Sequence, residues 1–276
     1  MKAALVQLTA SDDPVANLAT TADLIAEAAG QGADIVLTPE VTNCVSQDRK
    51  HQQAVLSHEK DDLTLKGLRE AAIKHNIWLS VGSLALKTDD PDGRFANRSF
   101  LIDPAGQIVA RYDKIHMFDV QVSETETYRE SAGYRPGEQA VVADTPLAKF
   151  GLSICYDLRF AYLYRALAQA GAEVLLVPSA FSPVTGVAHW EPLLRARAIE
   201  TGCFVLAAAQ TGQHQAQSGK PRETYGHAMA VSPCGEVLLD MGTQSGVGLV
   251  DLDLAEVAQS RRRIAALTHD RPFTGP

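Results

Sequence analysis

Several large function classes need things this chain lacks. Its four cysteines, Cys44, Cys155, Cys203 and Cys234, lie far apart with no C-x-x-C pair. Thiols scattered so widely read as reduced side chains rather than a disulfide framework. No apolar run approaches the ~20 residues needed to cross a bilayer. The opening MKAALVQLTASDD has too short an apolar run for a secretory signal, and no small-residue cleavage site follows, so a soluble cytoplasmic protein is expected. Positive charge is in short supply: 25 Lys and Arg stand against 33 Asp and Glu, a net charge of −8. Nucleic acid and anionic membrane surfaces reward clustered positive charge, so neither is expected as a partner. The one basic run, Arg261–Arg263, is expected on a solvated helix face. No G-x-G-x-x-G follows a first strand and no glycine-rich loop ends in Lys-Ser or Lys-Thr, which removes the dinucleotide and P-loop readings. His189, His214 and His227, with Cys203 and Cys234, lack the tight ligand spacing of a zinc site. They read as polar loop histidines, Cys203 as core and Cys234 as incidental; neither a metal nor another cofactor is expected.

What is present is ample apolar material, 46% of residues, with an ordinary 21% charged. Residues 2–8 read as a strand, 15–30 as a helix with Val15, Leu18, Ala22, Ile25 and Ala29 at helical spacing, and 33–37 as a second strand. Such strand–helix–strand units give parallel strands. A helix over 62–75 and strands over 77–86, 96–102 and 107–112 follow, the strands as an antiparallel meander. Residues 113–138 are long, polar and weakly patterned, which in a compact domain points to a functional loop. Further strands are expected at 139–143, 149–154, 173–177, 203–209, 226–231, 236–240 and 246–251. Helices are expected at 158–170, from near His189, and over 253–265, with a second polar loop at 211–224. Nothing reads as a linker or a repeat. The expectation is one domain over 1–276 with a tail from about 266, of α/β class, or α+β by a stricter sorting.

Three reactive side chains share one kind of address. Glu40 follows the strand at 33–37, Lys114 follows that at 107–112, and Cys155 falls where the strand 149–154 turns towards a helix. Ligands of open α/β sheets gather beyond the carboxyl ends of strands. A helix N-terminus beside Cys155 would favour its thiolate. A carboxylate in reach can take a thiol proton, and an ammonium can stabilise first the thiolate and then the oxyanion formed on a carbonyl. The backbone N–H of Tyr156, next after the nucleophile, is placed as a second oxyanion donor.

The segments TPE at 38–40, RYDKIH at 111–116 and GLSICYDLRF at 151–160 resemble the signature segments of the nitrilase, or carbon–nitrogen hydrolase, superfamily. The resemblance covers essentially the whole chain. It implies an α-β-β-α sandwich that pairs into a dimer, and hydrolysis of a non-peptide C–N bond through a cysteine thioester. Carried onto this sequence, Glu40 would be general base, Lys114 the oxyanion stabiliser, Cys155 the nucleophile and Glu130 a second glutamate positioning the leaving amine. Residues 178–201, 207–214 and 225–229 resemble the branch of amidases acting on deaminated glutathione, and the neighbouring ω-amidases of α-ketoglutaramate and α-ketosuccinamate. The partner would then be a small amide and water. One departure stands out: Arg159-Phe160-Ala161-Tyr162-Leu163 replaces the resembled RFPEL, losing a proline and a carboxylate. Tyr128, Phe181 and Trp190 are candidate pocket walls, and Arg129, Arg135 and Arg159 candidate partners of a substrate carboxylate. True nitrile hydrolysis and a catalytically silent binding protein are the competing readings.

Overall fold

The first strand has no polar face. Within β1 (Lys2–Gln7), Ala3, Ala4, Leu5 and Val6 are all fully buried. A strand covered on both sides needs two partners. The computed structural model, which describes residues 1–122, 124, 127–217, 219 and 221–275, supplies them. Ala3 and Leu5 join a core between two sheets, whereas Ala4 and Val6 join a core beneath helices.

After β1 come α1 (Pro14–Gly30), β2 (Ile35–Leu37), α2 (Arg49–Val55), α3 (Leu63–His75), β3 (Trp78–Leu86), β4 (Ala96–Ile102) and β5 (Ile108–Asp113). The pair β6 (Asp119–Gln121) and β7 (Thr127–Arg129) leads to β8 (Val141–Asp144), β9 (Lys149–Leu152), α4 (Ala161–Gln169), β10 (Val174–Leu176), α5 (Pro183–Thr201) and β11 (Phe204–Ala207). A second pair, β12 (Thr211–His214) with β13 (Arg222–Tyr225), precedes β14 (Met229–Val231), β15 (Val237–Asp240), β16 (Gly246–Asp251) and α6 (Ala255–Arg263).

One six-stranded sheet has the order β16-β1-β2-β3-β4-β5 and the other β15-β14-β11-β10-β9-β8. Each has a parallel centre: β1, β2 and β3 in the first, β9, β10 and β11 in the second. The expected meander is there too, with β3, β4 and β5 antiparallel. Helices α1 and α3 cover the first sheet through Ile25, Ala28, Leu65 and Leu68. Helices α4 and α5 cover the second through Leu163, Leu167, Trp190 and Leu194. The layers are therefore α-β-β-α, as the resemblance implied. Local chemistry sets the helix ends. The Asp13 carboxylate accepts from the N–H groups of Val15 and Ala16 with Pro14 at the first position, and Asn76 closes α3 in the left-handed region at φ +52°.

The structure departs from the sequence expectations in identifiable places. Helix α2 has no counterpart among the expected elements, because its stretch RKHQQAV buries only Gln52 and carries no apolar stripe. Helix α5 begins at Pro183, six residues before His189, because Pro183 occupies the first turn, where its missing N–H is harmless. Gly186 follows in that turn because a Cβ there would lie 2.3 Å from the Tyr225 ring. Both polar loops contain a strand pair. Of the basic run, Arg261 is half-buried rather than solvated, donating to the carbonyls of Thr201 and Ala172 and to Cys203 Sγ. Nor is His214 a solvated loop residue: it is buried in β12 between the Ala10 carbonyl and the Thr224 hydroxyl. Among the described residues no helix is long and apolar enough to cross a membrane, and no group of three or more His, Cys, Asp or Glu could hold a metal ion.

Candidate active site

Two sheets contribute. Glu40 lies beyond β2 and Lys114 directly after β5 in the first, and Cys155 lies beyond β9 in the second. Cys155 starts a 3-10 turn (Cys155–Arg159), and its backbone is left-handed at φ +47°. Its N–H donates to the Pro178 carbonyl at 2.9 Å. Val41, next after Glu40, is also left-handed at φ +47°. Such conformations cost on the order of 1–3 kcal/mol for side chains with a Cβ and collect at functional sites. Between the two turns runs Gly82 of β3. A Cβ there would lie 2.0 Å from the Thr38 carbonyl oxygen and 2.5 Å from Pro178, so only glycine lets the two loops approach.

The side chains then close on one another. Lys114, 2% exposed, donates from Nζ to Glu40 Oε1 at 2.9 Å and to both Glu130 oxygens at 3.0 and 2.9 Å. Asn97 Nδ2 donates to Glu40 Oε1 at 2.9 Å, and the Ala180 N–H donates to Glu40 Oε2 at 2.8 Å. The Phe118 N–H holds Glu130 Oε2 at 2.7 Å. The Cys155 thiol lies close enough to Glu40 for each to shift the other's proton affinity.

Charge states follow from burial and neighbours. Burial works to raise Glu40, but the Lys114 charge and hydrogen bond, with Arg222 beyond, hold it below its ordinary 4.5. Burial also works to lower Lys114, and the carboxylates of Glu130 and Glu40 overcome it, leaving the ammonium well above 10.5. For Cys155 burial wins: the thiol is pushed far above its ordinary value, and Glu40 adds to the rise against Lys114. The helix-terminus effect that favours a thiolate is thus opposed by burial and by the Glu40 charge, the thiol-and-carboxylate arrangement in which Glu40 takes the proton. The turn at Cys155 is a short 3-10 segment, which offers less than a long helix dipole, and burial of the residue at 7% exposure works against it. The resting site is a thiol, a carboxylate and an ammonium.

These groups line a cavity of about 470 Å³. Of the candidate walls and cations, Tyr128, Phe181 and Arg129 are lining residues, and Tyr156, named for its backbone N–H, is another. Trp190 and Arg159 are not. Trp190 is 1% exposed, packs its ring 5.0 Å from that of Phe181 and donates from Nε1 to the His227 carbonyl, so it is core behind the wall. Arg159 lies over the Phe181 ring, 5.3 Å from its centroid, and meets His189. Arg135 is engaged with Asp113. Sequence reasoning missed Asn97, Arg49, Arg222, Ser182 and Thr185, all lining residues. Asn97 was legible as a polar residue in an otherwise buried strand; the others carry no local signal. Asn97 Oδ1, Ser182 Oγ, Thr185 Oγ1 and Arg222 Nε are four of the seven buried polar atoms without a partner among the described residues. Clustering at one cavity marks it as built for a polar ligand. Its lining has four cations, Arg49, Lys114, Arg129 and Arg222, against two carboxylates, Glu40 and Glu130.

Comparison with known proteins gives the same picture. The family model "Carbon-nitrogen hydrolase" matches residues 2–262. The deaminated glutathione amidase of Yersinia enterocolitica is 39% identical over 269 residues, 97% of this chain and 92% of that protein. The Caenorhabditis elegans NitFhit protein superposes with TM-score 0.89 at 36% identity over 98% of this chain, which spans only 65% of that longer one. An amidase from Nesterenkonia sp. AN1, solved after Michael addition of acrylamide at its active-site cysteine, superposes with TM-score 0.77 at 29% identity, over 96% of this chain and 98% of that one. With the fold, the strained cysteine turn and a family match over nearly its whole length, this chain belongs to the carbon–nitrogen hydrolase family.

Proposed function

We propose that the chain is an amidase that hydrolyses an amide of a small α-keto acid, with deaminated glutathione as its substrate. The observation that carries the substrate class is the cavity's surplus of two positive charges (four cations less two carboxylates), with unpartnered polar atoms on Ser182, Thr185 and Arg222. Deaminated glutathione has two carboxylates and no amino group, so it matches that surplus. The relative from Yersinia enterocolitica carries the corresponding name.

Cys155 attacks the amide carbonyl while Glu40 takes the thiol proton, and Lys114 with the Tyr156 N–H receives the oxyanion. Glu40 then gives its proton to the departing nitrogen, leaving a thioester, while Glu130 holds Lys114 and orients the leaving amine. Water, deprotonated by Glu40, attacks the thioester and frees the acid and the thiol. No cofactor enters these steps. Four free cysteines suit a reducing compartment, the cytoplasm. A homodimer is part of the same reading. An ω-amidase is the second reading, because α-ketoglutaramate offers the same keto acid with one carboxylate.

The test is kcat/KM on deaminated glutathione and α-ketoglutaramate side by side. The first should be preferred by about tenfold or more, the worth of one additional well-placed charge contact. The opposite ranking would overturn the substrate and leave the mechanism standing. Cys155→Ser should abolish turnover of both, and persistence of turnover would remove the nucleophile.

A further inference from the structure

Lys114 and Cys155 come from different sheets, so the loop after β5 must be held against the turn after β9. One side chain spans that seam. Asp157 is fully buried two residues beyond Cys155 and accepts four hydrogen bonds. Its Oδ2 takes the Ile154 N–H at 2.8 Å and the Tyr112 hydroxyl at 2.6 Å. Its Oδ1 takes the His116 N–H at 3.0 Å and the ring Nδ1–H of His116 at 2.6 Å. Tyr112 and His116 lie two residues before and two after Lys114. The His116 ring stacks on Phe160 with centroids 3.5 Å apart and planes within 8°, and its Nε2 meets the Tyr162 hydroxyl. Tyr162 lies in the first turn of α4, on the second sheet's side of the seam.

We propose that Asp157, His116 and Tyr162 form a strut of positioning residues that fixes the Lys114 ammonium relative to the Cys155 sulfur. The inference rests on reading those two as the reacting pair. Asp157 joins both sides of the seam at the nucleophile turn, and the ring of His116 extends the join outwards to Tyr162. The ring's two nitrogens are thereby both committed, which fixes its orientation. A buried carboxylate with all its acceptor sites filled resists movement, because loss of any donor leaves charge uncompensated. Misplacement by about 1 Å of a group remote from the chemistry can cost on the order of 10²-fold in rate.

The test is a series on the full chain: His116→Ala, His116→Asn, Tyr162→Phe and Asp157→Asn. Asparagine at 116 keeps an N–H donor near the Nδ1 position and loses the ring. Readouts are kcat and KM on deaminated glutathione, the alkylation rate of Cys155 by chloroacetamide, and the thermal midpoint. His116→Ala should lower kcat by roughly 30–100-fold with KM within about threefold, and His116→Asn should recover at least about fivefold of that loss. Tyr162→Phe should lower kcat by about 2–5-fold, since it removes only the outer hydrogen bond. Asp157→Asn should fall at least as far as His116→Ala, and if it does not fold, the His116 pair decides. An unchanged kcat in folded His116→Ala, or no recovery in His116→Asn, would overturn the strut. If the parent protein turns over neither amide, the functional reading fails and the strut is judged by alkylation alone. His116→Ala should then label about tenfold more slowly than the parent, because the ammonium no longer faces the sulfur; equal rates would refute it.

Discussion

At the scale of single residues, the site separates being reactive from being ionised. A low-pKa cysteine would be labelled readily and attacked by any oxidant. Here burial and the Glu40 carboxylate keep sulfur protonated, and the same carboxylate, held ionised by Lys114, is ready to take the proton when a carbonyl arrives. Two opposed shifts in a neighbouring pair define which partner is acid and which is base. The consequence is testable in Glu40→Gln. Removing the negative charge takes away a cause of the raised thiol and leaves Lys114 pulling it down, so the pH midpoint of chloroacetamide labelling should fall below that of the parent. Amide turnover should meanwhile drop by about 10²-fold or more, because the proton acceptor is gone. A labelling midpoint that stays in place would mean that desolvation alone sets the thiol. None of this could be read from the sequence. The residue types announce a nucleophile, a base and a cation, but their charge states depend on how completely the fold excludes water.

At the scale of elements, legibility follows the apolar pattern. Strand β1 and helices α1 and α3 have continuous or helically spaced apolar positions, and they stand within a few residues of where the sequence puts them. Helix α2 and the pairs β6–β7 and β12–β13 are polar and held by particular side chains, which no periodicity announces. The pair β12–β13 brings Arg222 to the cavity, and its own anchor is His214. The His214 ring donates from Nδ1 to the Ala10 carbonyl and faces the Thr224 hydroxyl, both at 2.7 Å, and burial pushes its pKa down from 6.5 to about 4. The unfolded chain takes up this proton near pH 6.5 whereas the folded chain does so only near pH 4. Stability from this group is thus complete above that range and declines as pH falls through it, by up to about 3 kcal/mol. Urea midpoints measured from pH 7 to pH 4 should show this slope in the parent and a flatter one in His214→Asn, which starts less stable. An identical slope in both would assign the acid loss elsewhere.

At the scale of the whole molecule, the sandwich leaves its second helical layer with apolar side chains facing out. On α5, Val184 is 53% exposed, Val187 78% and Ile199 53%, and on α4 Tyr162 is 67% exposed. The first helical layer has exposed apolar side chains too, Val15, Leu63 and Ile73, and we propose the second as the dimer face because it adjoins the cavity. The same layer matters to the site. Helix α5 begins beside Ser182, carries Thr185 of the cavity lining, and places Trp190 behind Phe181. A second copy packed on this layer would steady the cavity wall as well as cover the apolar side chains. Sedimentation equilibrium should therefore give twice the 29.6 kDa chain mass. Val187→Glu, placing a carboxylate at the most exposed of these α5 positions, should shift the population towards the single chain. Because Val187 itself does not line the cavity, the variant should keep the contacts of Glu40 with Lys114, Asn97 and the Ala180 N–H intact and lose only a few-fold in kcat as the helix loosens. A parent protein that sediments as one chain at micromolar concentration would refute the dimer. A dimer untouched by Val187→Glu would move its interface to another face.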